Sequence, residues 1–266
     1  MTTKNTIYQV DAFTTSPFKG NPAGVCILDK EADTGWMQNV AMEMNLSETT
    51  FVVPKDDHYN IRYFTPVAEM KLCGHATLSA AHIMYETGIV PEDKIIKFLS
   101  KAGELIIRKK EGWITMDFPV YTLKKIDITS DFEKLTGVKP QELYETGLGW
   151  TLALTDSEQE VLNMKPDFTG LKNSPFGDLI VTAISDDRAY DFCVRCFAPV
   201  VGIDEDPVTG SAHCALAPFW SAKTGKSEFM SHQISRREGI LKISMKGNRV
   251  EISGQAVTIF KAVLFV

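Results

Sequence analysis

Ile61-Arg62-Tyr63-Phe64-Thr65-Pro66, followed shortly by Cys73-Gly74-His75-Ala76-Thr77, is echoed by Val194-Arg195-Cys196-Phe197-Ala198-Pro199 followed by Asp206-Pro207-Val208-Thr209-Gly210-Ser211-Ala212-His213. Arg195 lies 133 residues after Arg62 and Gly210 lies 136 after Gly74, so the second copy carries three extra residues between its strand and its helix. Residues 74–85 contain no Asp, Glu, Lys or Arg, and neither do residues 210–222. A helix uncharged on every face is a buried helix. Gly88 and Gly225 follow as stops. β-branched and apolar segments come next, at 95–99, 104–108 and 113–118, then at 240–245, 249–252 and 256–265. The order predicts two like halves, each of strands wrapped around one central helix, with a cleft between them.

Length and composition agree. A chain of 266 residues with 44% hydrophobic content can fill two cores. The expected division is 1–121, completed by a final strand at 261–266, and 122–260. The last ten residues read as two short strands with a bend near Lys261. A net charge of -6 and a pI near 5.5 argue against a nucleic-acid partner. Lys and Arg cluster only at Arg108-Lys109-Lys110, which fits the solvated end of a strand. No apolar run approaches membrane-spanning length and none resembles a signal core, so a cytoplasmic protein is expected. Four tryptophans and fifteen phenylalanines leave apolar surface for a homodimer.

Five cysteines in such a chain should be free thiols. Cys193-x-x-Cys196 lies in a strand-like run, where residues three apart point to opposite faces and cannot grip one ion. With no second pair to complete a tetrahedral set, no metal is expected.

The chemistry starts at Glu48. Met37, Val40, Ala41 and Met44 are spaced for one helix face, ending about Asn45, and a strand begins around Thr49. Glu48 therefore sits at a helix-to-strand junction, where a carboxylate is ordinarily solvated.

Together the segments Asp11-Ala12-Phe13, Gly20-Asn21-Pro22-Ala23, Asn45-Leu46-Ser47-Glu48-Thr49, Arg62 to Pro66, Cys73 to Thr77 and Glu205 to His213 resemble the phenazine biosynthesis PhzF-like isomerase family. The resemblance runs from about Val10 to the C-terminus. It implies an α+β, diaminopimelate epimerase-like fold of two pseudo-symmetric domains, each of strands wrapped around a central buried helix. It also implies a cofactor-independent isomerase that relocates a proton on a small carboxylic acid such as dihydro-3-hydroxyanthranilate. The family's catalytic glutamate falls on Glu48, with His75 and Asp206 beside it. Asn21, Cys73, Gly74, Gly210 and Ser211 would surround the substrate.

Physical reasoning runs beside the resemblance. Helix starts at Gly74-His75 and Gly210-Ser211 expose unpaired N–H groups that attract a carboxylate. A shuttling glutamate needs a pKa lifted toward neutrality, by burial or nearby acids. Asp206 fits a second acid, and equally an Asp-Pro turn that caps the following helix. Cys73 keeps an alternative open, since the related epimerases and racemases use two facing thiols. The second half has no thiol in the matching stretch, and Cys214 comes four residues after Gly210, too late to face the same point. Cys73 also fits a small buried residue. A binding protein that has lost turnover is the remaining class.

Overall fold

The computed structural model describes residues 5–147 and 149–266. It divides into two compact units, Met1–Asp117 with Ser253–Val266, and Phe118–Ile252. Beside the expected division at 121, the boundary lies four residues earlier and the return to the first unit starts at Ser253.

In the first unit, strand Asn5–Ala12 pairs antiparallel with Asn21–Ile27, which runs parallel to Glu48–Pro54 after a crossover through helix Thr34–Met44. Asp33 caps that helix by accepting the Trp36 N–H at 3.0 Å, and Asn45 ends it in the left-handed region. Glu48–Pro54 forms a hairpin with Tyr59–Phe64, which pairs with the short return strand Glu69–Met70. The central helix Gly74–Glu86 follows. Its exit leads to Ile96–Ser100, which lies parallel to Tyr59–Phe64 and opens the antiparallel run Gly103–Lys110 and Trp113–Pro119. Glu111 and Gly112 make the last of these turns, both at positive φ (51° and 79°), the two-residue geometry that matches strand twist.

The second unit repeats this sequence of pairings. Strand Trp150–Leu154 runs parallel to Asp178–Ile184, which forms an antiparallel pair with Phe192–Ala198. The return strand Ile203–Asp206 pairs with Phe192–Ala198, and the second central helix comes next. Glu228–Gln233 then lies parallel to Phe192–Ala198 and turns into Gly239–Lys246. The duplication in sequence is thus a duplication of topology.

Both central helices are buried as their composition requires. Ten residues of Gly74–Glu86 are buried, from His75 to Tyr85 with His82 alone half-exposed. The second helix differs from expectation at its start. Gly210–Ala212 is a single 3-10 turn, and the α-helix proper is His213–Thr224. Such tightened turns are common at helix ends. Pro218 lies inside this helix and brings no N–H for the Cys214 carbonyl; the Tyr121 N–H donates to that carbonyl at 2.8 Å instead.

The duplicated arginines build the return strands. The Arg62 guanidinium donates through Nε and a terminal nitrogen to both Glu69 oxygens, each at 2.8 Å. Arg195 does the same to Glu205 at 2.7 and 2.9 Å. Each guanidinium also lies over the phenylalanine two residues on, 5.1 Å from Phe64 and 4.8 Å from Phe197. Arg195 alone turns its remaining nitrogen to the carbonyls of Val161, Leu162 and Met164, at 3.0–3.1 Å, closing the end of helix Glu158–Asn163.

The final segment corrects the expected pair of short strands. Ala256–Leu264 is one continuous strand, antiparallel to Asn5–Ala12. Its register jumps from Gln9↔Phe260 to Val10↔Thr258, so Ile259 is an extra residue that takes up the bend as a bulge. No helix among the described residues is long and apolar enough to cross a membrane. All five cysteines are free and buried.

Arg195→Lys should destabilise the protein by about 1–3 kcal/mol, because an ammonium cannot hold the planar fork to Glu205 and the three carbonyls together. Urea unfolding of wild type and variant measures it.

Candidate active site

Glu48 is the first residue of its strand and stands opposite Ala23 on the parallel neighbour. Alternation sends Glu48, Thr50 and Val52 to one face, while Phe51 and Val53 pack with Met37, Val40 and Ala41 under helix Thr34–Met44. Glu48 reaches His75, the second residue of the first central helix, with Oε2 3.2 Å from Nε2. The other ring nitrogen, Nδ1, lies 3.4 Å from the Cys73 sulfur. The side chains are nearly enclosed, Glu48 13% and His75 8% exposed. Three residues from two separate motifs therefore form one cluster.

Their electrostatics overturn one expectation. Burial works to raise the Glu48 carboxyl, yet the charge and hydrogen bond of His75, with a further hydrogen bond from Cys73, hold it below the ordinary glutamate value. Burial likewise opposes a charged His75, and its acidic neighbours Cys73 and Glu48 outweigh burial, lifting the imidazole well above its usual range. The Cys73 thiol is pushed up, first by burial and then by the Glu48 charge. With the Cys73 thiol raised and so uncharged, the Glu48 carboxylate 3.2 Å away is the charge that holds the proton on His75, and the pair rests as carboxylate and imidazolium. The glutamate is thus not lifted toward neutrality, because its nearest partner is a cation rather than another acid.

Glu48, Cys73 and His75 also place one donor each within 4.8 Å of the others, the one such group of three among the described residues that could hold a metal ion. A metal there would have to displace the imidazole proton, because it takes only the neutral ring. An imidazolium has no lone pair for a metal, and its Nε2 faces Glu48 while lying 4.0 Å from the sulfur.

Gly74 opens the helix with no side-chain cap and no acidic residue in the first turn. A Cβ built there would meet nothing within 4 Å, so crowding does not demand glycine and the space over its α-carbon is open. Unpaired N–H groups and the helix dipole make this end receptive to an anion. Asn21, fully buried, begins the strand beside Glu48's and faces the same side of the sheet by alternation.

The second unit carries the remaining candidates. Asp206 ends the return strand, opposite Cys196. It is not the helix cap. The residue at the cap position is Thr209, whose side chain makes no capping bond but donates its hydroxyl to Asp206 Oδ2 at 2.6 Å. Gly210 is buried and Ser211 exposed at the 3-10 turn. His213 is structural: Nδ1 donates to the Thr209 carbonyl at 3.0 Å and Nε2 accepts from Ser231 at 2.8 Å, while burial pushes its pKa down to about 4. The first unit has the same bond in other chemistry, Thr77 Oγ1 to the Cys73 carbonyl at 2.7 Å. Sequence reasoning missed Gln233, fully buried and bonded to the Asp206-to-Thr209 loop. A lone glutamine at a strand end carries no motif by which to find it.

With this geometry established, comparison with known proteins is decisive for fold and family. A PhzF-family phenazine biosynthesis protein from Enterococcus faecalis superposes with a TM-score of 0.95 at 38% identity, covering 99% of this chain and all of that one. A hydroxyproline epimerase from Agrobacterium vitis shares the fold alone, with a TM-score of 0.64 at 12% identity over 98% of this chain and 92% of that one. The fold is therefore the expected diaminopimelate epimerase-like one, shared with epimerases and racemases. A curated relative, an uncharacterized isomerase of Halalkalibacterium halodurans, is 45% identical over 97% of each chain. The sequence profile of the phenazine biosynthesis-like (PhzC-PhzF) family matches residues 10–262, and this chain belongs to that family.

The ion pair should leave a signature in stability. His75, raised in the folded state, contributes fully below its ordinary value of 6.5 and loses that contribution as pH rises through the folded value. Glu48, lowered, contributes fully above 4.5 and loses it as pH falls through its folded value. The difference in melting temperature between wild type and Glu48→Gln should therefore be greatest between pH 4.5 and 6.5 and shrink on either side. A difference that stays the same from well below pH 4.5 to well above pH 6.5 would contradict the assignment.

Proposed function

We propose that this protein is a cofactor-independent isomerase that moves a proton on a small carboxylic acid resembling dihydro-3-hydroxyanthranilate, with Glu48 as the acid/base shuttle. The observation that carries this reading is the enclosed Glu48–His75 pair. Its carboxylate is ionised and ready to accept a proton from carbon. The C–H electron pair delocalises into the substrate's unsaturation, Glu48 holds the proton as a neutral acid, and it returns that proton to another carbon of the same molecule. The adjacent imidazolium weakens Glu48 as a base and strengthens it as an acid, which favours the return step. The substrate carboxylate would lie at the open N–H groups of the helix beginning at Gly74. Asn21 lies beside Glu48's strand in the first unit, and Asp206, Gly210 and Ser211 are the second unit's candidates for contact with substrate. The name isomerase on the 45% identical relative supports the same class.

One observation favours a second reading. Cys73 touches the same pair, as an epimerase-type thiol would. Against it, the position before the second helix glycine is Thr209, matching Cys73 before Gly74, so a two-thiol mechanism lacks its second thiol.

Incubation with unsaturated and amino carboxylic acids in D2O, following product and deuterium uptake, separates the readings. Glu48→Gln should lower turnover about 10²–10⁴-fold and Cys73→Ala should leave most of it. Full activity in Glu48→Gln would refute the shuttle. Loss in Cys73→Ala, with Glu48→Gln active, would establish the thiol mechanism, and turnover of no compound would favour a binding protein.

A further inference from the structure

Glu48, Cys73 and His75 present a carboxylate, a thiol and an imidazole, the three side-chain types that ligate zinc, with donor atoms all within 4.8 Å of one another. A zinc ion bonded to sulfur at about 2.3 Å and to nitrogen and oxygen at about 2.0–2.2 Å holds tetrahedral donors roughly 3.3–3.6 Å apart. His75 Nε2 lies 3.2 Å from Glu48 Oε2 and 4.0 Å from Cys73 Sγ. One edge of that tetrahedron is therefore already in place, and the other is wider than zinc requires by only ~0.4 Å. A small turn of the Cys73 side chain about its Cα–Cβ bond closes it. Three protein ligands leave a fourth position for water, and Gly74, between two of the ligands in sequence, has open space over its α-carbon. Sequence spacing does not disclose this set, since Glu48 stands 25 residues before Cys73 and in another motif.

Charge balance favours the exchange. The resting cluster of carboxylate, imidazolium and thiol is neutral as a whole. When a zinc ion enters, the thiol and the imidazolium each release one proton to solvent, and the doubly charged cation then faces one carboxylate, one thiolate and a neutral ring. The sum is again zero. The enclosed site thus gains no net charge, the change that burial makes costly. Magnesium and calcium prefer oxygen ligands and gain little from a thiolate, so the donor set selects zinc.

We infer that Glu48, Cys73 and His75 form a binding site for one zinc ion, which occupies the Glu48 carboxylate and so blocks proton transfer by it. Zinc is an inhibitor at this site and not its cofactor. The inhibition rests on the reading of Glu48 as the proton shuttle; the binding does not.

The binding test therefore uses no substrate. Chelator-treated full-length protein is titrated with cobalt(II), a spectroscopic stand-in for zinc, and then with zinc. One cobalt ion per chain should bind with a thiolate-to-cobalt charge-transfer band in the near ultraviolet, and zinc should displace it. Cys73→Ala should abolish the band. Glu48→Gln and His75→Gln should each weaken zinc binding more than about tenfold, because even residues behind a metal ligand cost about 10–100-fold. Circular dichroism checks that each variant is folded, and if Cys73→Ala is not, Cys73→Ser gives the same comparison. Absence of the band, its survival in a folded Cys73 variant, or a zinc affinity unchanged in folded Glu48→Gln and His75→Gln would overturn the proposal. With a carboxylic acid that the protein turns over, turnover should fall in proportion to the zinc bound, and full turnover at a filled site would overturn the inhibition alone. Since binding is read without turnover, failure of the isomerase reading leaves the binding result intact.

Discussion

Everything in each unit answers to a helix that has no charged face to offer water. Gly74–Glu86 and His213–Thr224 must be surrounded, and strands on all sides are the means. Surrounding a helix fixes where it begins, and its first N–H groups are the part that a side chain of the helix does not serve. The two Arg–Glu forks stand at those beginnings, each fastening the return strand that leads into the helix. In the first unit that places Cys73, Gly74 and His75 against the start of Glu48's strand, so the cluster of Glu48, His75 and Cys73 is a by-product of where a buried helix is allowed to start.

The electrostatics follow from the same enclosure. In water a glutamate and a histidine 3.2 Å apart would gain little from each other. Enclosed, with solvent excluded from both, each sets the other's protonation, and the pair rests with the proton on the imidazole. The two units treat their matching positions differently. Where the first has a thiol beside an ion pair, the second has a hydroxyl bonded to a carboxylate. Duplication supplied equal scaffolds, and the residue before each helix glycine made them unequal.

Much of this was legible in the sequence. The repeated arginine, phenylalanine and proline, the two uncharged stretches and the closing glycines marked both central helices and the strands that feed them. Glu48, Cys73 and His75 were legible as candidates, the first through the family resemblance of its motif, since its place between helix and strand alone reads as solvated, and the others from the motif at the helix start. What could not be read was the sign of the interaction at Glu48, since only geometry shows that its nearest neighbour is an imidazole. Gln233 and the Tyr121 amide were hidden for a related reason. Each is an unremarkable residue whose importance lies in a carbonyl or amide more than 20 residues away that it satisfies. The bulge at Ile259 was misread as a break because a charged residue, Lys261, interrupts an apolar run, although strand pairing tolerates it.

The proline in the second central helix carries an implication for how separable the halves are. Its cost to the helix is met from outside, by the Tyr121 N–H on the Cys214 carbonyl. A chain begun after Tyr121 would keep every residue of that helix and still leave a buried acceptor without a donor, at about 1–3 kcal/mol. Residues that look like the tether between two repeats are thus part of the second one's fabric, and an ancestral unit able to fold alone would have needed either that tether or a helix without the proline.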